Sequence, residues 1–274
     1  MSTAFKEKPI GVFDSGIGGL TVVKHLSTVL PNEHIVYFGD TARVPYGSKS
    51  NSTVIGYSIQ DTNFLLNKNV KVVVVACNTA SSIALSALQK KFSVLVIGVI
   101  LPGAQMAVNK SKNGKIGVIG TRATINNKAY SKAIKEINNK IEVFEKACPL
   151  FVPLAEEGWS HHQATYEIAE EYLKELRKKE IDTLVLGCTH YPILADVIQE
   201  VIGSNVKLID SGVATAEVIK SEISKLGLQS DSTLHGNLDL FVSDIPTKFQ
   251  EVAELFLGKK VKNVVKVDLE ELVH

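Results

Sequence analysis

The sequence predicts an α/β protein built as two similar parallel-sheet α/β domains facing each other across an active-site cleft. Two observations carry this reading. Short β-branched runs alternate along the chain with longer segments of helical periodicity, the pattern of parallel strands buried on both faces and joined by crossover helices. In addition, two strand–loop motifs each occur twice at nearly the same offset.

The runs read as strands lie at 10–13, 35–38, 72–75, 94–97, 116–119, 141–144, 183–186 and 206–209, with helical segments at 20–30, 52–67, 81–90, 123–137, 165–178 and 213–226. A β-α-β order implies right-handed crossovers and places any ligand beyond the C-terminal ends of the strands. Ile10-Gly-Val-Phe-Asp-Ser-Gly resembles Ile116-Gly-Val-Ile-Gly-Thr-Arg, 106 residues on. Val74-Val-Ala-Cys-Asn-Thr resembles Leu184-Val-Leu-Gly-Cys-Thr-His, about 110 residues on. Each unit therefore offers one loop with a hydroxyl, Ser15 or Thr121, and one with a cysteine, Cys77 or Cys188. We expect a first domain of residues 1–99 with 210–274, carrying Asp14 and Cys77, and a second of residues 100–209, carrying Cys188.

With 274 residues and 45% hydrophobic composition, the chain has material for two real cores. Its 30 basic residues nearly cancel its 29 acidic ones, without long blocks of like charge, which argues against nucleic acid as a partner. Residues 1–8 lack the apolar core of a signal peptide, and the longest apolar runs are too short to span a bilayer, so a cytoplasmic protein with no membrane partner is expected. Three cysteines, at 77, 148 and 188, make an odd number without C-x-x-C spacing, which points to free thiols rather than a disulfide framework or a metal site.

Cys77 follows a buried strand and precedes a helical segment opening at Asn78-Thr79, so its sulfur is expected beside helix N-terminal amides that favour the thiolate. Cys188 has the same context ahead of Thr189-His190-Tyr191-Pro192, with proline suited to a first helical turn. A free cysteine is commonly a small buried hydrophobe; the repeated strand–Cys–polar–helix context sets these two apart, and Cys148, which lacks it, is read as structural. Asp14-Ser15-Gly16-Ile17-Gly18-Gly19 ends the first strand with glycines that let a ligand approach backbone amides. Its spacing meets neither the dinucleotide nor the P-loop fingerprint. The loop 40–47, containing Pro45, Tyr46 and Gly47, has the composition of a binding loop or of a plain surface connection. The segment 149–158 reads as an apolar loop ending in Glu156-Glu157. His190, two residues after Cys188, is placed to exchange protons near that thiol.

Taken together, Gly11-Val-Phe-Asp-Ser-Gly-Ile-Gly-Gly-Leu, Phe38-Gly-Asp-Thr-Ala-Arg-Val-Pro-Tyr-Gly, Val75-Ala-Cys-Asn-Thr-Ala, Ala147-Cys-Pro-Leu-Phe-Val-Pro-Leu and Leu186-Gly-Cys-Thr-His-Tyr-Pro resemble the glutamate racemase family, within the cofactor-independent aspartate/glutamate racemases. The resemblance spans about residues 9–225. It implies a homodimer that interconverts L- and D-glutamate without pyridoxal phosphate or metal and supplies D-glutamate for peptidoglycan. Carried over residue by residue, it implies Cys77 and Cys188 as the acid–base pair, with Asp14, Glu156 and His190 assisting. Adjacent Glu157 offers the same group as Glu156 one position on. Around the substrate it implies Asp14, Ser15, Pro45, Tyr46, Gly47, Asn78, Thr79, Thr121, Thr189 and His190. It also implies that Cys77 takes the proton from D-glutamate and Cys188 from L-glutamate.

Overall fold

The computed structural model describes residues 3–245, 247–261 and 263–268. Ten strands form two all-parallel sheets. Strands β1 (Ile10–Asp14), β2 (Ile35–Gly39), β3 (Val72–Val75) and β4 (Leu95–Gly98) belong to the first sheet; β5 (Lys115–Gly120), β6 (Glu142–Ala147), β7 (Thr183–Gly187) and β8 (Lys207–Asp210) make the second; β9 (Leu238–Val242) and β10 (Val264–Lys266) return to the first. The strand orders are β10-β9-β2-β1-β3-β4 and β6-β5-β7-β8. Strands β1, β2, β3 and β7 are buried along their whole length, which is why their sequences run apolar without alternation.

Register aligns the loops that matter. Asp14 pairs with Gly39, Phe13 with Val75, and in the second sheet Gly120 with Gly187. The loops after β1, β3, β5 and β7 therefore all leave from C-terminal strand ends, where parallel sheets gather ligands. Helix Ser211–Lys225 packs against Leu20–Val29 beside the first sheet and against Ile100–Lys110 beside the second. One apolar core runs through both sheets, from Ile10, Val12 and Val74 to Ile119, Leu184 and Leu186.

Eight of the ten strands fall where the β-branched runs predict them. Several other elements differ from expectation. Residues 149–158 are not an open loop: Phe151–Glu156 is a short helix, whose Phe151 and Leu154 are buried. The single helix expected at 81–90 begins at Asn78 and breaks at Ala84, and that expected at 123–137 breaks at Lys128, which takes a left-handed φ of 51°. Helix Ile100–Lys110 carries Pro102 and Gly103 in its first turn, residues that mask helical periodicity. Among the described residues, no helix is long and apolar enough to cross a membrane.

Lys71 and Glu33, 2% and 4% exposed, form an ion pair beneath the N-terminal ends of β2 and β3. Glu33 also accepts a 2.8 Å hydrogen bond from the Ser230 amide, fixing the segment that leads back to β9. Breaking a buried pair from one side leaves an uncompensated charge, at a cost of roughly 3–5 kcal/mol. Lys71→Met is thus expected to lower the urea-unfolding free energy by about that amount; an unchanged midpoint would show that the pair does not hold this edge.

Candidate active site

A cavity of about 280 Å³ lies between the C-terminal ends of the two sheets. Ser15, Pro45, Tyr46, Gly47, Cys77, Asn78 and Thr79 line it from the first sheet, and Thr121, Glu156, Cys188, Thr189 and His190 from the second. The two cysteines, 5% and 6% exposed, thus come from different sheets to one cavity. All three thiols are free, and Cys148 is fully buried outside the cavity wall.

The cysteines are not equivalent. Cys77 caps helix Asn78–Ile83: its sulfur accepts the Ala80 N–H at 3.4 Å and donates to Ser15 Oγ at 3.5 Å. Burial first, and the Asp14 carboxylate second, push its pKa up to about 12, outweighing what the amide and hydroxyl do to lower it. The expectation that helix amides favour a thiolate here is therefore corrected: this six-residue helix does not offset desolvation and a neighbouring anion, and Cys77 is held as a thiol.

Cys188 has a different partner. Its sulfur lies 3.8 Å from His190 Nδ1, and His190 Nε2 is 2.9 Å from Glu156 Oε1. Burial pulls the imidazolium pKa down, but the hydrogen bonds and negative charge of Cys188 and Glu156 outweigh it and hold it at about 10. An imidazolium donates from both nitrogens, so Nδ1–H faces the sulfur while Nε2–H is held by the carboxylate. Glu157 turns outward to Lys248, 2.8 Å away, so Glu156 is the carboxylate that reaches the cavity.

Asp14 lies behind the wall rather than in it. It is fully buried; its Oδ2 accepts the Gly16 amide at 3.0 Å and its Oδ1 the Thr189 hydroxyl at 3.5 Å. Desolvation raises its pKa, against the lowering charge of His190. The neighbouring glycines serve the protein more than a ligand. A Cβ on Gly18 would stand 2.3 Å from Thr189 Oγ1 and 2.5 Å from the His190 ring. A hydrogen at position 18 is what lets the first sheet's loop meet the second sheet's Thr189-His190.

The loop 40–47 is anchored from below. The Tyr46 hydroxyl lies 2.5 Å from Asp40 Oδ2 and 2.9 Å from Asp61 Oδ2, its one proton serving one of them at a time, while Arg43 bridges both carboxylates at 2.6 and 3.0 Å. One cation faces two carboxylates that are 0% exposed, so burial and the Asp40 charge raise the Asp61 pKa well above the carboxylate range. This cluster holds the segment Pro45-Tyr46-Gly47 against the cavity, and Gly47 meets Thr121 across the cleft. Thr121 and Thr79, one from each sheet, are 2.9 Å apart through their hydroxyls.

Several wall residues escape sequence reasoning: Arg122, Pro149, Val152 and Pro153. Arg122 directly follows Thr121 in the repeated loop, which is the signal that could have found it. Val152 and Pro153 lie on the short helix that a loop reading hides. A cavity with a protonated thiol contributed by one sheet and a sulfur beside an imidazolium contributed by the other can deliver a proton to a carbon and remove one from it. Hydroxyls, an amide and Arg122 around it favour an anionic ligand.

Residues 19–219 match the Asp/Glu/Hydantoin racemase family model. The chain is 52% identical over 263 residues to the glutamate racemase of Geobacter metallireducens, covering 96% of this chain and 97% of that protein. Among solved structures, it superposes on the glutamate racemase of Francisella tularensis in complex with D-glutamate with a TM-score of 0.91, at 41% identity over 97% of this chain and 99% of that one. A glutamate racemase isoform from Bacillus anthracis gives a TM-score of 0.93, at 39% identity over 96% and 98%. Matched in sequence and in fold along nearly its whole length, the chain belongs to the glutamate racemases of the Asp/Glu/hydantoin racemase family.

Proposed function

We propose that this protein interconverts L- and D-glutamate using Cys77 and Cys188 as a paired acid and base, with no cofactor. The observation that carries the reading is the convergence of these two sulfurs, from separate sheets, on one cavity. The D-glutamate in the Francisella tularensis relative supports the choice of substrate.

Starting from L-glutamate, the Cys188 thiolate, paired with the His190 imidazolium, removes the α-proton. The C–H electron pair passes to the α-carbon and into the adjoining carboxylate. The Cys77 thiol then gives its proton to the opposite face, leaving Cys77 as thiolate and Cys188 as thiol. From D-glutamate the steps run in reverse. No proton is gained or lost overall, and each thiol serves one face, where a single base cannot easily reach both. Ser15, Asn78, Thr79 and Thr189 are the donors we assign to the charge that develops, with Pro45-Tyr46-Gly47 and Thr121 closing the substrate's other end. Asp14 and His190 act through the cysteines, one on each side, and Glu156 through His190. By family, we place the enzyme in the cytoplasm as a homodimer that supplies D-glutamate for peptidoglycan.

Three outcomes test this. Cys77→Ser and Cys188→Ser should each abolish racemisation, followed by circular dichroism from either enantiomer, while the melting temperature stays near that of the parent; full activity in either purified variant refutes the assignment. Gly18→Ala should lower kcat on the order of 100-fold by displacing Thr189 and His190, since misplacements of about 1 Å have that effect; wild-type kcat would mean that the contact is not functional. The third is a pH effect. His190 has a folded pKa of about 10, raised above the ordinary histidine value near ~6.5. Its contribution to stability is therefore fully present below pH ~6.5 and is lost as pH rises towards 10, because in that window the folded state binds the extra proton. Denaturation at stepped pH should show this loss in the parent and not in His190→Gln; identical slopes in the two proteins would contradict the thiolate–imidazolium pair.

A further inference from the structure

Asn78 stands in the cavity wall, 2% exposed, and the two atoms of its amide are treated unequally. Its Oδ1 accepts a 2.7 Å hydrogen bond from the Tyr130 hydroxyl, whereas its buried Nδ2 has no hydrogen-bond partner among the described residues. A buried donor without an acceptor is costly, and native structures rarely leave one unless a ligand or water supplies the partner. Tyr130 opens helix Ala129–Ile137 beside the second sheet, and Asn78 follows β3 of the first, so this bond crosses between the sheets.

Tyr130 is fixed for the purpose. Its side chain is fully buried, and a Cβ added at Gly103 would lie 3.2 Å from its hydroxyl, one at Gly187 3.1 Å from its ring. Two glycines, one on helix Ile100–Lys110 and one at the end of β7, thus leave the space that the ring fills. Burial keeps its phenol protonated, and the hydroxyl donates that proton to Asn78 Oδ1. A carboxamide can present either face by a half-turn. The wrong face would turn an oxygen towards an anion.

We propose that Tyr130 is a positioning residue for the substrate: by occupying Asn78 Oδ1 from across the cleft, it fixes the amide so that Nδ2–H is the group left for a substrate carboxylate. The proposal rests on the reading of the cavity as the glutamate site. Sequence motifs do not reveal Tyr130, because it lies in a helix outside every repeated loop.

The test is a double-mutant cycle in the full-length enzyme, with KM and kcat measured for both enantiomers. Tyr130→Phe keeps the ring and should raise KM roughly three- to tenfold, the range of one lost hydrogen bond, with a smaller change in kcat. Asn78→Ala should raise KM at least as much, and adding Tyr130→Phe to it should change nothing further. An equal penalty for Tyr130→Phe in both backgrounds overturns the proposal, since Tyr130 would then act by another route. Wild-type KM in Asn78→Ala overturns the proposal and leaves the glutamate reading standing; absence of racemisation by the parent enzyme would instead remove the reading on which the proposal rests. Gly103→Ala, which crowds the Tyr130 hydroxyl without removing it, should raise KM in the same direction should Tyr130→Phe fail to fold; an unchanged KM there counts against the proposal.

Discussion

Inverting a tetrahedral carbon through loss and return of a proton is done most directly by acid–base groups on opposite sides of that carbon, with nothing but the ligand between them. One chain meets this requirement most simply by folding two similar units and turning their strand ends towards each other. Here the four loops that leave β1, β3, β5 and β7 meet at one cavity, which Cys77 lines from the first sheet and Cys188 from the second. Much else in the structure serves that meeting. Gly18 admits Thr189 and His190, the hydroxyls of Thr79 and Thr121 touch across the cleft, and Tyr130 reaches over to Asn78.

The two units are alike in backbone and unlike in electrostatics. Cys77 is buried beside an anion and stays protonated, whereas Cys188 faces an imidazolium whose far nitrogen is held by Glu156. In the proposed mechanism this asymmetry suits one direction of the reaction, with Cys188 as the base and Cys77 as the acid. In that mechanism one turnover exchanges the protonation states, and the reverse reaction starts from the exchanged form.

What could be read from the sequence was what local pattern controls. Runs such as Val72–Val75 announce buried parallel strands, and the repeated strand–Cys–polar context singles out Cys77 and Cys188 from Cys148. What could not be read depends on residues distant in the chain. The pKa of Cys77 reflects its burial among residues distant in the chain and the charge of Asp14, which no adjacent residue reports. The Asp40–Arg43–Tyr46–Asp61 cluster turns a loop of ambiguous composition into a fixed wall, and its fourth member lies on a helix with no motif. Phe151–Glu156 was hidden by the prolines at 149 and 153, and β9 by alternation too short to stand out from its polar surroundings.

The most direct test of two opposed thiols is where solvent hydrogen goes in the first turnovers. With L-glutamate in deuterated water, the D-glutamate formed should carry deuterium at the α-carbon from the start, while the remaining L-glutamate stays largely protiated. Product that instead retains the substrate's own α-hydrogen would mean that one base carries the proton across both faces, and would contradict the account.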